Sequence, residues 1–256
     1  MAKTLIALLH TLMRIDYQHV DIAIDEHIIL RDVNFTAGEG EFIYLIGKVG
    51  TGKSSLLKSF YGELDVHSGK AMVLDYDMTE IERKEIPSLR KKLGIIFQDF
   101  QLLTDRNVHD NLSFVLRATG WEEKEEREVR IREVLEQVGM LDKLKKMPYE
   151  LSGGEQQCVC IARSILNKPA IILADEPTGN LDKENGMRAA SLLYDISKNG
   201  TTVILSTHNE HLLEAFPGIA YICENGFLKI KSAGTGNIPA QDIESESIKE
   251  DIEDNN

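Results

Sequence analysis

The stretch GKVGTGKS, Gly47 to Ser54, limits the possible folds of this chain more than any other. Gly47, Gly52, Lys53 and Ser54 stand in the register of a phosphate-binding loop. The apolar run EFIYLIG leads into it as a buried strand would, and KSSLLKSFYG follows with helical spacing and a glycine stop at Gly62. In that order the backbone N–H groups of Gly47, Lys48, Val49, Gly50, Thr51, Gly52, Lys53, Ser54 and Ser55 can converge on an anion at the positive end of the helix. Lys53 is expected to reach the β- and γ-phosphates of a nucleotide, and the Ser54 hydroxyl to ligate Mg2+. A plain glycine turn is the competing reading. The strand before and the helix after decide against it.

IILADEP supplies a second half of phosphoryl-transfer chemistry. An apolar strand ending in acids holds carboxylates rigidly at the carboxyl edge of a sheet, where a phosphate loop also lies. Asp175 is expected to bind Mg2+, directly or through water, and Glu176 to polarise the attacking water, because a metal-bound carboxylate is a poor base. A helix N-cap followed by a first-turn acid would read the same way in isolation. His208 closes the run TTVILSTH and is read as a γ-phosphate sensor that orients Glu176. Gln98, after an apolar strand in IIFQDF, is read as placing Mg2+ or water. An exposed strand-end histidine and an ordinary loop glutamine are the simpler alternatives for these two.

Composition excludes several classes. A net charge of −13 argues against non-specific binding to nucleic acid or to an anionic membrane surface. Residues 233–256 hold seven acids and Lys249, a net of −6, and the other 232 residues carry −7. Cys158, Cys160 and Cys223 form no disulfide framework, which points to a reduced, cytoplasmic protein. No apolar run approaches the roughly 18–20 residues that span a bilayer. The start, MAKTLIALLHTLM, has His10 within its apolar stretch and no small-residue cleavage site, so residues 1–13 are read as a flexible leader rather than a signal peptide, with Met13 as a possible start.

MRIDYQHVDIAI and IILRDVNFTAGEGEFIYLIG alternate apolar and polar residues and predict antiparallel strands; SGKAMVLDYDM predicts another strand pair. Between Trp121 and Met147 the chain is dense in charge, yet Ile131, Val134, Leu135 and Val138 form one apolar stripe, so a solvated helix face is read in preference to a binding tail. Later come a helix through QQCVCIARSIL, the strand AIILAD, a helix from about Lys183 to Lys198, and the strand TTVILST. Strands alternating with helices imply a mostly parallel sheet covered on both faces. The segment 233–256 lacks apolar periodicity and is read as a disordered acidic tail.

The turn LSGGE is a second serine-glycine turn opening onto a helix. A serine hydroxyl, bare glycine N–H groups and a helix N-terminus form an anion site. One chain with two such half-sites implies a symmetric pair. Taken in order, Gly47–Ser54, Gln98, LSGGE, Asp175–Glu176, GNLD from Gly179 to Asp182, and His208 resemble the complete motif set of an ABC-type ATPase domain, over about Arg14 to Ile230. The resemblance implies an α/β P-loop nucleotide-binding domain over 14–232, with an N-terminal antiparallel β region and an inserted α-helical subdomain at about 100–165. It also implies head-to-tail dimers, in which Ser152, Gly153, Gly154 and Asp182 face ATP held by a second copy of the chain.

Within that superfamily, the stretch from Glu85 to Asn111 together with LSGGEQQ and ADEPTGNLD resembles the FtsE family of cell-division ATPases. That implies an FtsX-like integral membrane subunit, received near Gln98–Asn111, and a peripheral location on the inner face of the cell membrane. The LolD and MacB ATPases of lipoprotein release and export are the alternative. A soluble ABC ATPase acting on nucleic acid and a purely regulatory nucleotide binder fit less well, given the single acidic domain and the intact Glu176 and His208. Two departures matter. The aromatic residue that stacks on adenine in this family falls at or near Ile24, with Tyr17 and His27 as substitutes. The arginine expected after EQQ is Cys158, a change read as losing a contact on the helix surface.

Overall fold

The computed structural model describes residues 13–231; the leader up to residue 12 and the acidic tail lie outside the described residues. Met13, grouped with the leader on sequence, opens the first strand and pairs with Gly38. Strands β1 (Met13–Ile24) and β2 (His27–Gly38) form the expected hairpin, and β4 (Lys70–Val73) and β5 (Tyr76–Asp77) extend it into a four-stranded antiparallel sheet of order β2-β1-β4-β5. The second sheet has the order β10-β9-β3-β8-β7-β6, from β3 (Phe42–Ile46), β6 (Leu93–Ile96), β7 (Ile171–Asp175), β8 (Thr202–Thr207), β9 (Ile219–Glu224) and β10 (Phe227–Lys231). All of its neighbouring pairs are parallel except β9–β10.

All five residues of β3 are buried, and they alternate between two cores. Ile43 and Leu45 join a cluster with β1, β2 and helix α1 (Lys53–Phe60). Phe42, Tyr44 and Ile46 join the cluster made with the later helices. A parallel sheet buried on both faces therefore reads as a continuous apolar run, as it did here. Tyr44 also reaches beyond its strand: its hydroxyl donates to the Phe216 carbonyl at 2.7 Å and the Leu212 carbonyl at 3.1 Å.

Between β6 and β7 the chain is helical: α3 (Val108–Ala118), α4 (Lys124–Gln137), two short 3-10 turns, and α5 (Gly153–Ser164); a short α2 (Ile86–Lys91) precedes β6. The stripe Ile131, Val134, Leu135 and Val138 is fully buried, as its spacing predicts. Helix α5 packs against α3 and α4 and also against β6, so it belongs as much to the sheet layer as to the inserted helices. Helix α6 (Lys183–Lys198) and the short α7 (His211–Ala215) complete the second layer.

Candidate nucleotide site

Because β3, β6, β7 and β8 run parallel, the loops that leave them meet at one edge of the sheet. The phosphate loop, Gln98, Glu176 and His208 all lie there. The loop needs its glycines for different reasons. A Cβ on Gly47 would stand 2.5 Å from the Cys223 carbonyl oxygen, and Gly52 adopts φ 99° with Ile29 and Leu30 packed against it. Helix α1 begins at Gly52 without a side-chain cap, which leaves its first N–H groups for an anion. Val49 projects into solvent and contributes only backbone, while the Thr51 hydroxyl donates to the Lys48 carbonyl at 2.9 Å.

Lys53 is buried, and its ammonium donates to the carbonyls of Gly47 at 2.7 Å and Lys48 at 3.1 Å. It also stands 3.4 Å from Glu176 Oε1. The other carboxylate oxygen, Oε2, lies 3.0 Å from His208 Nδ1. Glu176 is thus held between a buried ammonium and an exposed imidazole. Its backbone is left-handed at φ 44°, a costly conformation for a residue with a Cβ, and its N–H donates to Ser206 Oγ at 2.9 Å. Ser206 in turn donates to Asp175 Oδ1 at 2.6 Å. Sequence reasoning missed Ser206. The available signal was a pair of buried hydroxyl residues, Ser206 and Thr207, closing the apolar run of β8 just before His208.

Ser54, Gln98 and Asp175 line one cavity of about 330 Å³, together with Tyr61 and Glu63. A hydroxyl, an amide oxygen and a carboxylate are hard oxygen donors of the kind Mg2+ takes, with phosphate oxygens and water completing the shell. Gln98 is tied down through its backbone: Asn180 Nδ2 donates to its carbonyl at 2.8 Å. Asn180 belongs to the GNLD segment and is a second residue the sequence did not single out for this role.

Ser152, Gly153 and Gly154 are absent from that cavity's lining. Ser152 caps α5, its hydroxyl accepting from Glu155 N–H while Glu155 accepts from the Ser152 N–H at 2.8 Å. The Ser152 N–H and the Lys143 ammonium hold the Glu155 carboxyl below the usual range. A Cβ on Gly154 would collide with Asn185, 2.3 Å from its Oδ1, so close packing of α5 on α6 requires that glycine. Gly153 meets only ordinary contacts, and nothing within the chain demands its bareness. Asp182 caps α6, accepting from Asn185 N–H at 3.0 Å, and its carboxylate is exposed.

Two sequence expectations need correction. Tyr17 is completely buried, edge-on to Phe60 with ring centroids 5.0 Å apart, and cannot stack on a base; burial also pushes its phenol up. Ile24 is 42% exposed at the tip of the β1–β2 hairpin, beside an exposed His27. Position 158 is not on the helix surface: Cys158 is buried, and burial raises its thiol pKa.

The ABC transporter family matches residues 30–179. The cell division ATP-binding protein FtsE of Escherichia coli K12 is 42% identical over 200 residues, 78% of this chain and 90% of that protein. FtsE of Streptococcus pneumoniae D39 is 39% identical over 197 residues, 77% and 85% of the two chains. Among solved structures, the dimeric bacterial ABC transporter cassette MJ0796 superposes with a TM-score of 0.75 at 30% identity, covering 84% of this chain and 96% of that one. A post-hydrolysis state of the same cassette, bound to ADP and Pi, gives 0.75 at 29% identity, covering 85% and 97%. The likeness to FtsE proteins and to ABC cassettes thus extends over most of the chain, across the glycine loop and the acid pair: it is an ATP hydrolase that belongs to the FtsE family of ABC-type ATPases.

Proposed function

We propose that this chain is the ATPase subunit of an FtsEX-like complex in cell division. ATP-driven closure of a head-to-tail homodimer would be coupled to an FtsX-like membrane subunit. The observation that carries the reading is the division of the site. The phosphate loop, Glu176 and His208 converge, while Ser152 and an unconstrained Gly153 do not line that cavity, which supports their acting on a nucleotide held by a second copy. Among the described residues no helix is long and apolar enough to cross a membrane, so attachment to the inner face of the membrane would run through the partner.

In this reading the phosphate loop and the α1 N-terminus bind the phosphates of ATP, and Lys53 exchanges its carbonyl bonds for phosphate oxygens. Ser54, Asp175 and Gln98 would hold Mg2+, which supplies charge neutralisation at the phosphates when bound. Glu176 accepts the proton of the attacking water, and His208, bonded to Glu176 Oε2, fixes its direction and meets the γ-phosphate. Ser152, Gly153 and Gly154 approach that phosphate from the second copy, with Asp182 at the same interface.

Glu176→Gln tests both halves of the proposal. ATP turnover should fall by about 10²–10⁴-fold, while Mg2+–ATP binding persists and light scattering shows an ATP-dependent dimer. Unchanged turnover removes Glu176 from the mechanism. Co-purification of the same variant from native membranes should recover a division-site membrane protein. Recovery of lipoprotein-releasing subunits would keep the chemistry and change the branch.

A further inference from the structure

The acidic segment 233–256 has no part in the site above. At the amino edge of the parallel sheet, away from the phosphate loop, lies a cavity of about 560 Å³ lined by Arg14, Leu74, Asp75, Lys91, Lys92 and Lys168 among others. Its position is fixed by Lys92 and Ala170, which immediately precede β6 and β7. Four cations in one hollow stand out on a chain with a net charge of −13. Arg14 is engaged by Glu39 at 2.9 Å and Lys92 by Asp75 at 3.2 Å. Lys91 and Lys168 form no ion pair among the described residues and are exposed. Lys168 sits at φ 50°, where a glycine or asparagine would be less strained.

Charge and reach pick out an occupant. Strand β10 is antiparallel to β9, so Lys231, paired with Ala220, returns the chain toward the amino edge. The strand order puts β10 and β6 five spacings apart, roughly 24 Å at about 4.8 Å each. Asp242 is the first acid beyond Lys231, and the eleven residues to it span about 36 Å when extended. Every acid from Asp242 to Asp254 can therefore reach the cavity. Lys168 also borders a second hollow in which Glu125, Glu126 and Glu133 outnumber Arg130, so an acidic chain is turned toward Lys91, Lys92 and Arg14.

We propose that the basic cavity formed by Arg14, Lys91, Lys92 and Lys168 is the intramolecular docking site of the acidic segment 242–254. Docked there, the segment ties the β4–β5 turn of the antiparallel sheet to the loop between α5 and β7, on the face remote from ATP. The contacts are exposed ion pairs, so the association weakens steeply with salt, and tethering supplies a local concentration of about millimolar order.

Zero-length carbodiimide coupling of the full-length protein, read by mass spectrometry on a mixture of ¹⁵N-labelled and unlabelled chains, tests this. Links from Lys91, Lys92 and Lys168 to residues 242–254 should dominate and stay within one isotopic chain. They should fall at least about tenfold in 1 M salt, where the screening length is about 3 Å, and the remaining Lys92 links should fall equally in a Lys91→Glu/Lys168→Glu double variant whose melting temperature is unchanged. Links spread over Lys124, Lys198 and other exposed lysines overturn the proposal, as do links found only between labelled and unlabelled chains. So do undiminished Lys92 links in the double variant. Protection of these lysines by millimolar inorganic phosphate, unchanged when the tail acids are replaced by their amides, would assign the cavity to a free anion instead.

Discussion

At the scale of single residues, the site is a chain of polar contacts that runs from Lys53 through Glu176 to His208, with Ser206 behind it. Ser206 touches neither phosphate nor water in the proposed mechanism; it positions Glu176 through the backbone N–H and Asp175 through Oδ1. Ser206→Ala should reduce kcat by about 10–100-fold, the loss of one or two hydrogen bonds that support charged groups, while the KM for ATP moves much less. An equal loss in ATP binding would mean that Ser206 supports the loop rather than the base. The phosphate loop, the acid pair and His208 were legible because their spacing along the chain carries the chemistry. Ser206 was not, since its role depends on which strand lies beside β7. On sequence, whether Tyr17 stands in for the missing aromatic residue is open for a related reason. Register shifts between Tyr17 and Val20 break the alternation of β1, and Ile15, Asp16 and Tyr17 are buried in succession.

At the scale of elements, the two glycines of the signature turn are separable. Gly154→Ala places a methyl group against Asn185 and should cost about 1–3 kcal/mol, visible as a lowered melting temperature. Gly153→Ala should leave the melting temperature in place and reduce turnover at least about tenfold, because only the second copy's nucleotide is expected to need that surface bare. Equal melting temperatures for the two variants would contradict the packing argument. The inserted helices carry a titratable clasp: His109 on α3 bonds Asp110 at 2.9 Å and Glu128 of α4 at 2.8 Å. Partial burial acts to lower its pKa, and the two carboxylates outweigh that, so it lies above the ordinary histidine value. A raised pKa in the folded state stabilises fully below the unfolded value, near 6.5, and the contribution is lost as pH rises through the folded value. Hydrogen exchange in α3 and α4 should therefore quicken as pH rises across that window, beyond the intrinsic rate, and His109→Gln should flatten the effect. Helix α4 was legible from its stripe. Strand β10 was not read, because it is largely exposed and lacks a buried face to give it a pattern; β9, with Ala220, Tyr221 and Cys223 buried, went unread beside it.

At the scale of the molecule, the arrangement is two sheets sharing one core, with catalytic loops gathered at the carboxyl edge and the inserted helices attached beyond Gln98. The class of fold was legible from the order of strands and helices. The division of labour between the sheets was not, since it depends on β3 facing both cores at once. The connection from Gln98 into α3 rests on Asn111, which is buried. Its Nδ2 lies about 3 Å from the carbonyls of Leu103, Arg106 and Asn107, and its Oδ1 accepts the Leu103 N–H at 2.7 Å. Asn111→Ala strands these groups and should cost about 1–3 kcal/mol, with faster exchange at Leu103 than in the sheet. Uniform loss across the chain would show that the residue serves global stability alone.

Arg163 completes that connection from the other side, donating to the carbonyls of Phe100 at 2.7 Å and Gln101 at 2.6 Å. A stretch without regular hydrogen bonding is normally compliant and absorbs displacement. Here it is bolted at both ends, to α5 through Arg163 and to α3 through Asn111. Held in this way, the stretch is expected to act as a stiff linkage that carries a displacement at Gln98 to the start of α3.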